Sequence, residues 1–365
     1  MTAMREQPLE AIELLPFHCP FSTAIHPEAD AIERHCLEWI DRFQLYGDAA
    51  QRERLIGTRA AEVYARALPT ADAERVADVA KWLYWGFATD DLYYDNGPTS
   101  RHAADFLALG VRLVRVCEEP RAGFPFELPY SDALRDLTSA ILRHSTPAQR
   151  IEWTHTARAW FFGMAWDVAN AERSVPPSLN DYLAMRMHTG GFASWLTTLN
   201  IANGIELSAA QAASGPMRAL VEAWSTFSLL LNDLMSFAKE ARNGDTSSNV
   251  VAVIAHERDC TPTAAIPQAH SLCDRIATLF LALHAQLQAQ AEADGDATLT
   301  RFLASLGHTW RGILDWGFDT PRYATGGDPG APPLQTFPGW ADRPTDASLE
   351  PLPHAAIAWW WEEIE

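Results

Sequence analysis

Basic residues are scarce: 28 Lys and Arg stand against 47 Asp and Glu, a formal net charge of −19 at pH 7. So acidic a chain repels nucleic acid and anionic membrane surfaces, and neither is expected as a partner. An anionic substrate would need cations gathered locally. Cysteine is sparse as well. The five, Cys19, Cys36, Cys117, Cys260 and Cys273, are scattered and show no C-x-x-C spacing, which speaks against a thiolate zinc or redox centre and fits a reducing cytoplasm. No run of about 18 apolar residues occurs, and the opening MTAMREQPLEAIELLP has neither a basic nor an apolar region, so no membrane span and no export signal are expected. Clean period-two alternation is rare, no repeat recurs at a fixed period, and no mid-chain linker divides the sequence.

What fills the chain is helical pattern. With 48% of its 365 residues hydrophobic and 21% charged, it has the composition of a globular protein with a large core. Stretches rich in Ala, Leu, Arg, Glu and Trp repeat their apolar residues every three or four positions. Helices are expected over 28–45, 50–66, 71–95, 101–117, 131–143, 147–172, 178–189, 192–203, 208–213, 216–242, 246–257, 262–292 and 297–317. NGP at 96–98, SVPPS at 174–178, TGG at 189–191 and NGD at 243–245 supply the stops. This is an all-α chain of one domain, residues 1–323. Residues 324–365 read as an irregular, mobile Gly/Pro-rich tail before a last short helix, HAAIAWWWEEIE.

Two polar clusters interrupt apolar helix faces. In the first, Ala80, Leu83 and Phe87 recur every three or four residues and lead straight to Asp90 and Asp91, with Asp95 one turn on. Buried carboxylates without partners are very costly, so these acids need a cation or the mouth of a wet cavity; a solvated helix end before NGP is the plain alternative. The second is NDLMSFAKE, residues 232–240. At about 100° per residue, Asn232, Ser236 and Glu240 fall at roughly 0°, 40° and 80°, with Lys239 at about −20°. Val221, Ser225 and Ser228 extend the same face upstream. An amide oxygen, a hydroxyl and a carboxylate form a hard-oxygen set suited to Mg²⁺, and the lysine could hold a phosphate. A polar outer stripe with an ordinary glutamate is the alternative here.

Taken together, the clusters resemble the metal sites of bacterial class I terpene synthases. DDLYYD, from Asp90 to Asp95, is similar to the family's aspartate-rich motif in its DDxxxD form, one residue longer than the commoner DDxxD. NDLMSFAKE is similar to its second motif, (N/D)DxxSxxxE, at every defined position. WDVANAERSVPPSLNDYLAMRMHTGG, residues 166–191, resembles the stretch leading to the diphosphate-sensing arginine, and WGFDTPRY, residues 316–323, resembles the carboxy-terminal Arg-Tyr pair. LPF, HPEA and LEWIDRF near the amino terminus are similar to family sequences too, so the resemblance covers residues 14–323.

The resemblance implies an α-helical bundle around a deep apolar cavity, with three Mg²⁺ held by Asp90, Asp91 and Asp95 on one wall and by Asn232, Ser236 and Glu240 on the other. It implies a prenyl diphosphate substrate, ionised while Arg186, Lys239, Arg322 and Tyr323 offset the charge on the leaving group. Arg186 would be the sensor, Thr189 the linker and Gly190 the effector, although Thr-Gly-Gly also suits a simple helix C-cap. Tyr84, Phe87, Phe192, Trp195 and Trp316 are candidates to line the cavity, the last ending a stripe through Phe302, Leu306, Thr309 and Ile313. Core packing is the alternative for each aromatic. Farnesyl diphosphate is the first choice of substrate and geranylgeranyl diphosphate the alternative. A prenyl transferase would carry aspartate-rich motifs on both walls, a protonation-initiated cyclase a DxDD motif, and a non-catalytic helical binding protein would have lost ligands. The expected assembly includes a homodimer.

Overall fold

In chain order the helices are α1 (Ala29–Phe43), α2 (Ala49–Gly57), α3 (Ala60–Ala67), α4 (Ala73–Thr89), α5 (Ala103–Glu118), α6 (Ser131–His144), α7 (Pro147–Arg173), α8 (Leu179–Thr189), α9 (Phe192–Asn203), α10 (Ala209–Ala213), α11 (Gly215–Asn243), α12 (Val250–Glu257), α13 (Pro262–Asp294), α14 (Ala297–Asp319) and α15 (Pro321–Ala324). A π-helical turn covers Asp90–Tyr94 and a 3-10 helix Ala358–Glu363. The computed structural model describes residues 12–94, 97–122, 128–244, 246, 248–327, 333–337 and 339–364. Local chemistry starts and stops these helices. Asp72, Ser178, Ser208 and Thr261 accept a backbone N–H of the first turn, and Thr146 with Gln149 forms a capping box at the start of α7. Gly244 and Gly295 end α11 and α13 at φ 74° and 65°, in the left-handed region that suits glycine.

Two expected helices are divided. Residues 50–66 break at Arg59, with φ 51°, and the break frees the Thr58 carbonyl to accept from Trp316 Nε1 at 2.7 Å and Thr320 Oγ1 at 3.2 Å. The helix expected over 71–95 leaves α geometry at Thr89. There the Thr89 hydroxyl donates to the Trp85 and Gly86 carbonyls at 2.8 and 2.9 Å, competing with the backbone ladder, and the π turn follows.

α11 is the central element, packing against α8, α9, α12, α13 and α14. Nearly its whole surface from Met217 to Ala238 is buried. One contiguous apolar core joins the helices. The described residues beyond 324 are packed rather than loose. Their strands β3 (Gln335–Thr336) and β4 (Trp340–Ala341) pair in parallel with β1 (Ile12–Glu13) and β2 (Phe17–His18) near the amino terminus. Further on, Leu352, Ile357, Trp360 and Trp361 are buried, Thr345 donates to Asp274 on α13 at 2.6 and 2.7 Å, and Trp360 donates to Glu222 on α11 at 2.8 Å. Apolar residues spaced among prolines and glycines give no periodic signal, so their burial was not visible in the sequence. Among the described residues, no helix is long and apolar enough to cross a membrane.

Candidate active site

A cavity of about 750 Å³ opens between α4, α7, α8, α9, α11 and α14, with α15 at its rim. Its lining divides by chemistry. Leu83, Phe87, Trp160, Phe192, Trp195 and Ile313 belong to the apolar part, and Asp90, Arg186, Asn232, Lys239, Glu240 and Arg322 to the polar part. Asp90 reaches the cavity from the π turn. Asp95 and the side chain of Asp91 lie outside the described residues.

The polar groups of α8 and α11 form one bonded array. Arg186 spans three acceptors: Nη1 donates to Thr189 Oγ1 at 3.1 Å, and Nη2 to Asn232 Oδ1 at 3.2 Å and Asp233 Oδ1 at 2.5 Å. Its Nε is buried and has no acceptor among the described residues. Asp233 also accepts from Tyr182 Oη at 2.5 Å and from the Val250 N–H at 3.2 Å. Burial lifts the Asp233 carboxyl above its ordinary value, and Arg186 and these hydrogen bonds oppose that lift. Asn232 Nδ2 donates to Tyr323 Oη at 2.6 Å, linking α11 to α15.

Ser236 is buried beneath this array and is not in the cavity lining; its Oγ lies 3.5 Å from the Asp233 carbonyl. Glu240 accepts from Asn249 Nδ2 at 2.8 Å. Its pKa is raised, because burial outweighs the charge of Lys239 and the hydrogen bonds from Ser236 and Asn249. An amide, a hydroxyl and a carboxylate at one-turn intervals, the last half-buried at the cavity wall, are donor types that fit a hard divalent cation. Among the described residues no cluster of three or more His, Cys, Asp and Glu could hold a metal; the candidate donors are of mixed type.

At the α8–α9 junction, Gly190 and Gly191 turn the chain beside α11. A Cβ on Gly190 would stand 1.9 Å from Leu229 Cδ2, and Gly191 has φ 68°, so neither position accepts a side chain at the present approach. Trp160 Nε1 donates to the Thr189 carbonyl at 3.0 Å and holds the turn from the side of α7. Phe87 and Trp316 stack with centroids 6.4 Å apart, and the Arg322 guanidinium lies 4.1 Å above the Phe87 ring. Phe192 meets Trp195 edge to face at 4.9 Å.

Tyr84 is a correction. It is fully buried outside the cavity lining, and its hydroxyl donates to Glu33 on α1. A helix buried all round shows one apolar pattern for the core and the cavity alike. Phe302, Leu306 and Thr309 are core for the same reason, while Ile313 and Trp316 from their stripe reach the cavity. Sequence reasoning missed Asp233, Tyr182 as its donor, and Asp167, which lines the cavity and accepts from Tyr94. The spacing gave no signal for Asp233: at about 100° from Asn232 it falls only about 20° from Glu240 on the same wheel, so its turn toward Arg186 on α8 appears only in the structure.

Residues 81–277 match the family model described as terpene synthase family 2, C-terminal metal binding. The chain is 34% identical over 345 residues to the (+)-(1(10)E,4E,6S,7R)-germacradien-6-ol synthase of Streptomyces pratensis, covering 94% of each chain. It is 27% identical over 312 residues to the 4-epi-cubebol synthase ((2E,6E)-farnesyl diphosphate cyclizing) of Streptosporangium roseum, covering 86% of this chain and 92% of that one. The crystal structure of the SVS_A2 protein from ancestral sequence reconstruction superposes with a TM-score of 0.84 at 34% identity, covering 96% of this chain and 99% of that chain.

Proposed function

The chain belongs to the terpene synthase family as a class I cyclase acting on a prenyl diphosphate, and from that premise we propose that it cyclises farnesyl diphosphate with Mg²⁺ as cofactor. The observation that carries the reading is one cavity with two chemistries: a guanidinium, amide and phenol array at one end, and aromatic walls at the other. Farnesyl is favoured over geranylgeranyl because a relative covering most of the chain is named for cyclising it.

In this reading Arg186, Lys239, Arg322 and the Tyr323 hydroxyl surround the diphosphate and offset the charge that develops as it leaves. The place of Arg186 in the cavity lining supports that role, and its bond to Thr189 couples it to the turn at Gly190. Mg²⁺, expected as three ions, would be held by Asp90, Asp91 and Asp95 on one wall and Asn232, Ser236 and Glu240 on the other, and would neutralise the diphosphate so that it departs as a stabilised anion. Phe87, Phe192, Trp195 and Trp316 then face the hydrocarbon. Aromatic faces stabilise a desolvated cation by roughly 2 kcal/mol each at best. The proposed catalytic residues all precede residue 324, and 324–365 serves the fold. A homodimer is part of this reading, with exposed Leu107 and Val111 on α5 and exposed Ile151 and Phe162 on α7 as apolar surface that a second copy could cover; light scattering after gel filtration measures it.

The test is incubation with Mg²⁺ and geranyl, farnesyl or geranylgeranyl diphosphate, followed by gas chromatography. Farnesyl diphosphate is expected to give the cyclised product. Asn232→Ala, Ser236→Ala and Glu240→Ala should each lower turnover at least about tenfold, about 1.4 kcal/mol of transition-state stabilisation. Full activity in excess chelator would refute the metal assignment.

A further inference from the structure

A second cavity, of about 310 Å³, shares no lining residue with the first. It lies between the α3–α4 connection, the end of α9 at Asn203 and the α14 surface from Arg301 to His308. Arg75, which also lines it, precedes Phe87 on α4 by about 18 Å of helix axis, so this cavity stands well away from the polar end of the first. Its charge is unlike that of the chain. Arg75 and Arg301 bring two guanidinium groups to it, and Asp72 is the only carboxylate among its described lining residues. That carboxylate is already engaged, accepting the Arg75 backbone N–H at 3.0 Å as the N-cap of α4.

The two guanidinium groups converge on one peptide unit. Arg301 Nη1 donates to the Asn203 carbonyl at 3.3 Å, and Arg75 Nη1 lies 3.8 Å from where a Cβ on Gly204, the next residue, would stand. A single cation suffices to meet the last carbonyls of α9. Arg75 makes no side-chain hydrogen bond or ion pair with a described residue, and Arg301 makes none with a described carboxylate. Arg52, Arg66 and Arg158, by contrast, each hold a carboxylate: Asp41, Glu62 and Glu118. His308, half-buried in the same wall, adds an imidazole that likewise has no partner among the described residues.

We propose that this second cavity binds a phosphate-class oxyanion, inorganic phosphate or diphosphate, between Arg75 and Arg301. The inference does not rest on the cyclase reading, since the two cavities have separate linings. A guanidinium presents paired N–H donors that match two oxygens of a phosphate. A carboxylate has only two oxygens and satisfies one such fork. A tetrahedral phosphate has oxygens for both forks and for the His308 ring, and diphosphate has more. Space is not limiting, because about 310 Å³ is roughly ten times the volume share of one water molecule.

The deciding experiment is isothermal calorimetry on the wild-type protein in excess chelator and at constant ionic strength, with inorganic phosphate and diphosphate in separate runs. Saturable binding of at least one ion is expected, and the tighter of the two names the ligand. Arg75→Gln and Arg301→Gln should each weaken that binding at least about tenfold. No saturable heat up to about 10 mM of either ion overturns the proposal. An affinity unchanged in either variant also overturns it, because the ion is then held elsewhere, as by Arg186, Lys239 and Arg322 in the first cavity. A wild-type crystal soaked in tungstate, a heavy tetrahedral oxyanion, locates the site without any variant. Anomalous scattering between Arg75 and Arg301 is expected, and its absence there refutes the assignment even if a variant fails to fold.

Discussion

Asp233 does a different job from Asn232, its neighbour in the same motif. One carboxylate oxygen takes the Arg186 guanidinium while the other takes Tyr182 and the Val250 N–H, so a cation on α8 is fixed against α11 before any substrate arrives. Arg186→Lys should therefore slow diphosphate release at least about tenfold, because an ammonium cannot reach Thr189, Asn232 and Asp233 together. A normal rate of ionisation in that variant would remove Arg186 as the sensor. Phe87 and Trp316 stack on each other yet differ in attachment, since only Trp316 also donates to the Thr58 carbonyl. Phe87→Leu should change the product mixture with little change in melting temperature. Trp316→Leu should change both, losing a hydrogen bond worth about 1 kcal/mol in addition to packing. Melting curves and product ratios from the same preparations separate the two roles, and unchanged products in both variants would return both rings to the core. The residue types at these positions were legible in the sequence. Which partner each one meets was not, because Arg186 and Asp233 are 47 residues apart.

α4 carries the aspartate-rich turn at one end, and a buried charge cluster fixes it further back. Asp78 accepts from Lys81 at 2.8 Å on its own helix, and from Arg143 at 3.2 Å and His144 at 3.0 Å at the end of α6. Burial alone would raise the Asp78 carboxyl, but Lys81, His144 and Arg143 more than offset it, and its pKa lies below the ordinary 3.8. A depressed carboxylate pKa stabilises the fold above the unfolded value, and that contribution is lost as pH falls through the folded one. The melting-temperature gap between wild type and Asp78→Asn should thus be full above pH 3.8 and should close below it. A gap that stays constant through that range would show that Asp78 does not hold α4 to α6 by charge. The boundaries of α7, α9 and α14 were legible from caps and stops. The π turn at Asp90 and the break at Arg59 were not, since both preserve the apolar period on either side while shifting the backbone between.

At the scale of the whole molecule, the described residues after 324 strap residues 12–18 to the helices that carry the site. Gln335 donates through Nε2 to the Met235 carbonyl, inside the turn of α11 between Asn232 and Ser236. Beyond it, four large apolar side chains are buried against the bundle. At about 1.5–3 kcal/mol per fully buried side chain, their removal costs on the order of 6 kcal/mol, comparable with the 5–15 kcal/mol that roughly spans whole-domain stability. A chain ending at Pro333 is expected to melt well below the full-length protein or to fail to fold. Equal melting temperatures would make the strap dispensable.

The sequence by itself determined the helical class, most helix limits, and the two polar clusters with their order along the chain. Those properties are local: caps, turn residues and periodicity act within a few positions, and ligand spacing on a helix is fixed by its pitch. Tertiary structure alone decided that Phe87 faces the cavity while Tyr84 faces α1, that Asp233 answers Arg186, and that a Pro- and Gly-rich tail is packed core. The physical reason is common to all three. An apolar side chain is driven out of water with nearly the same force whatever covers it, and a buried charge needs a partner whichever residue supplies it, so sequence records the need and only the packing of distant segments decides what meets it.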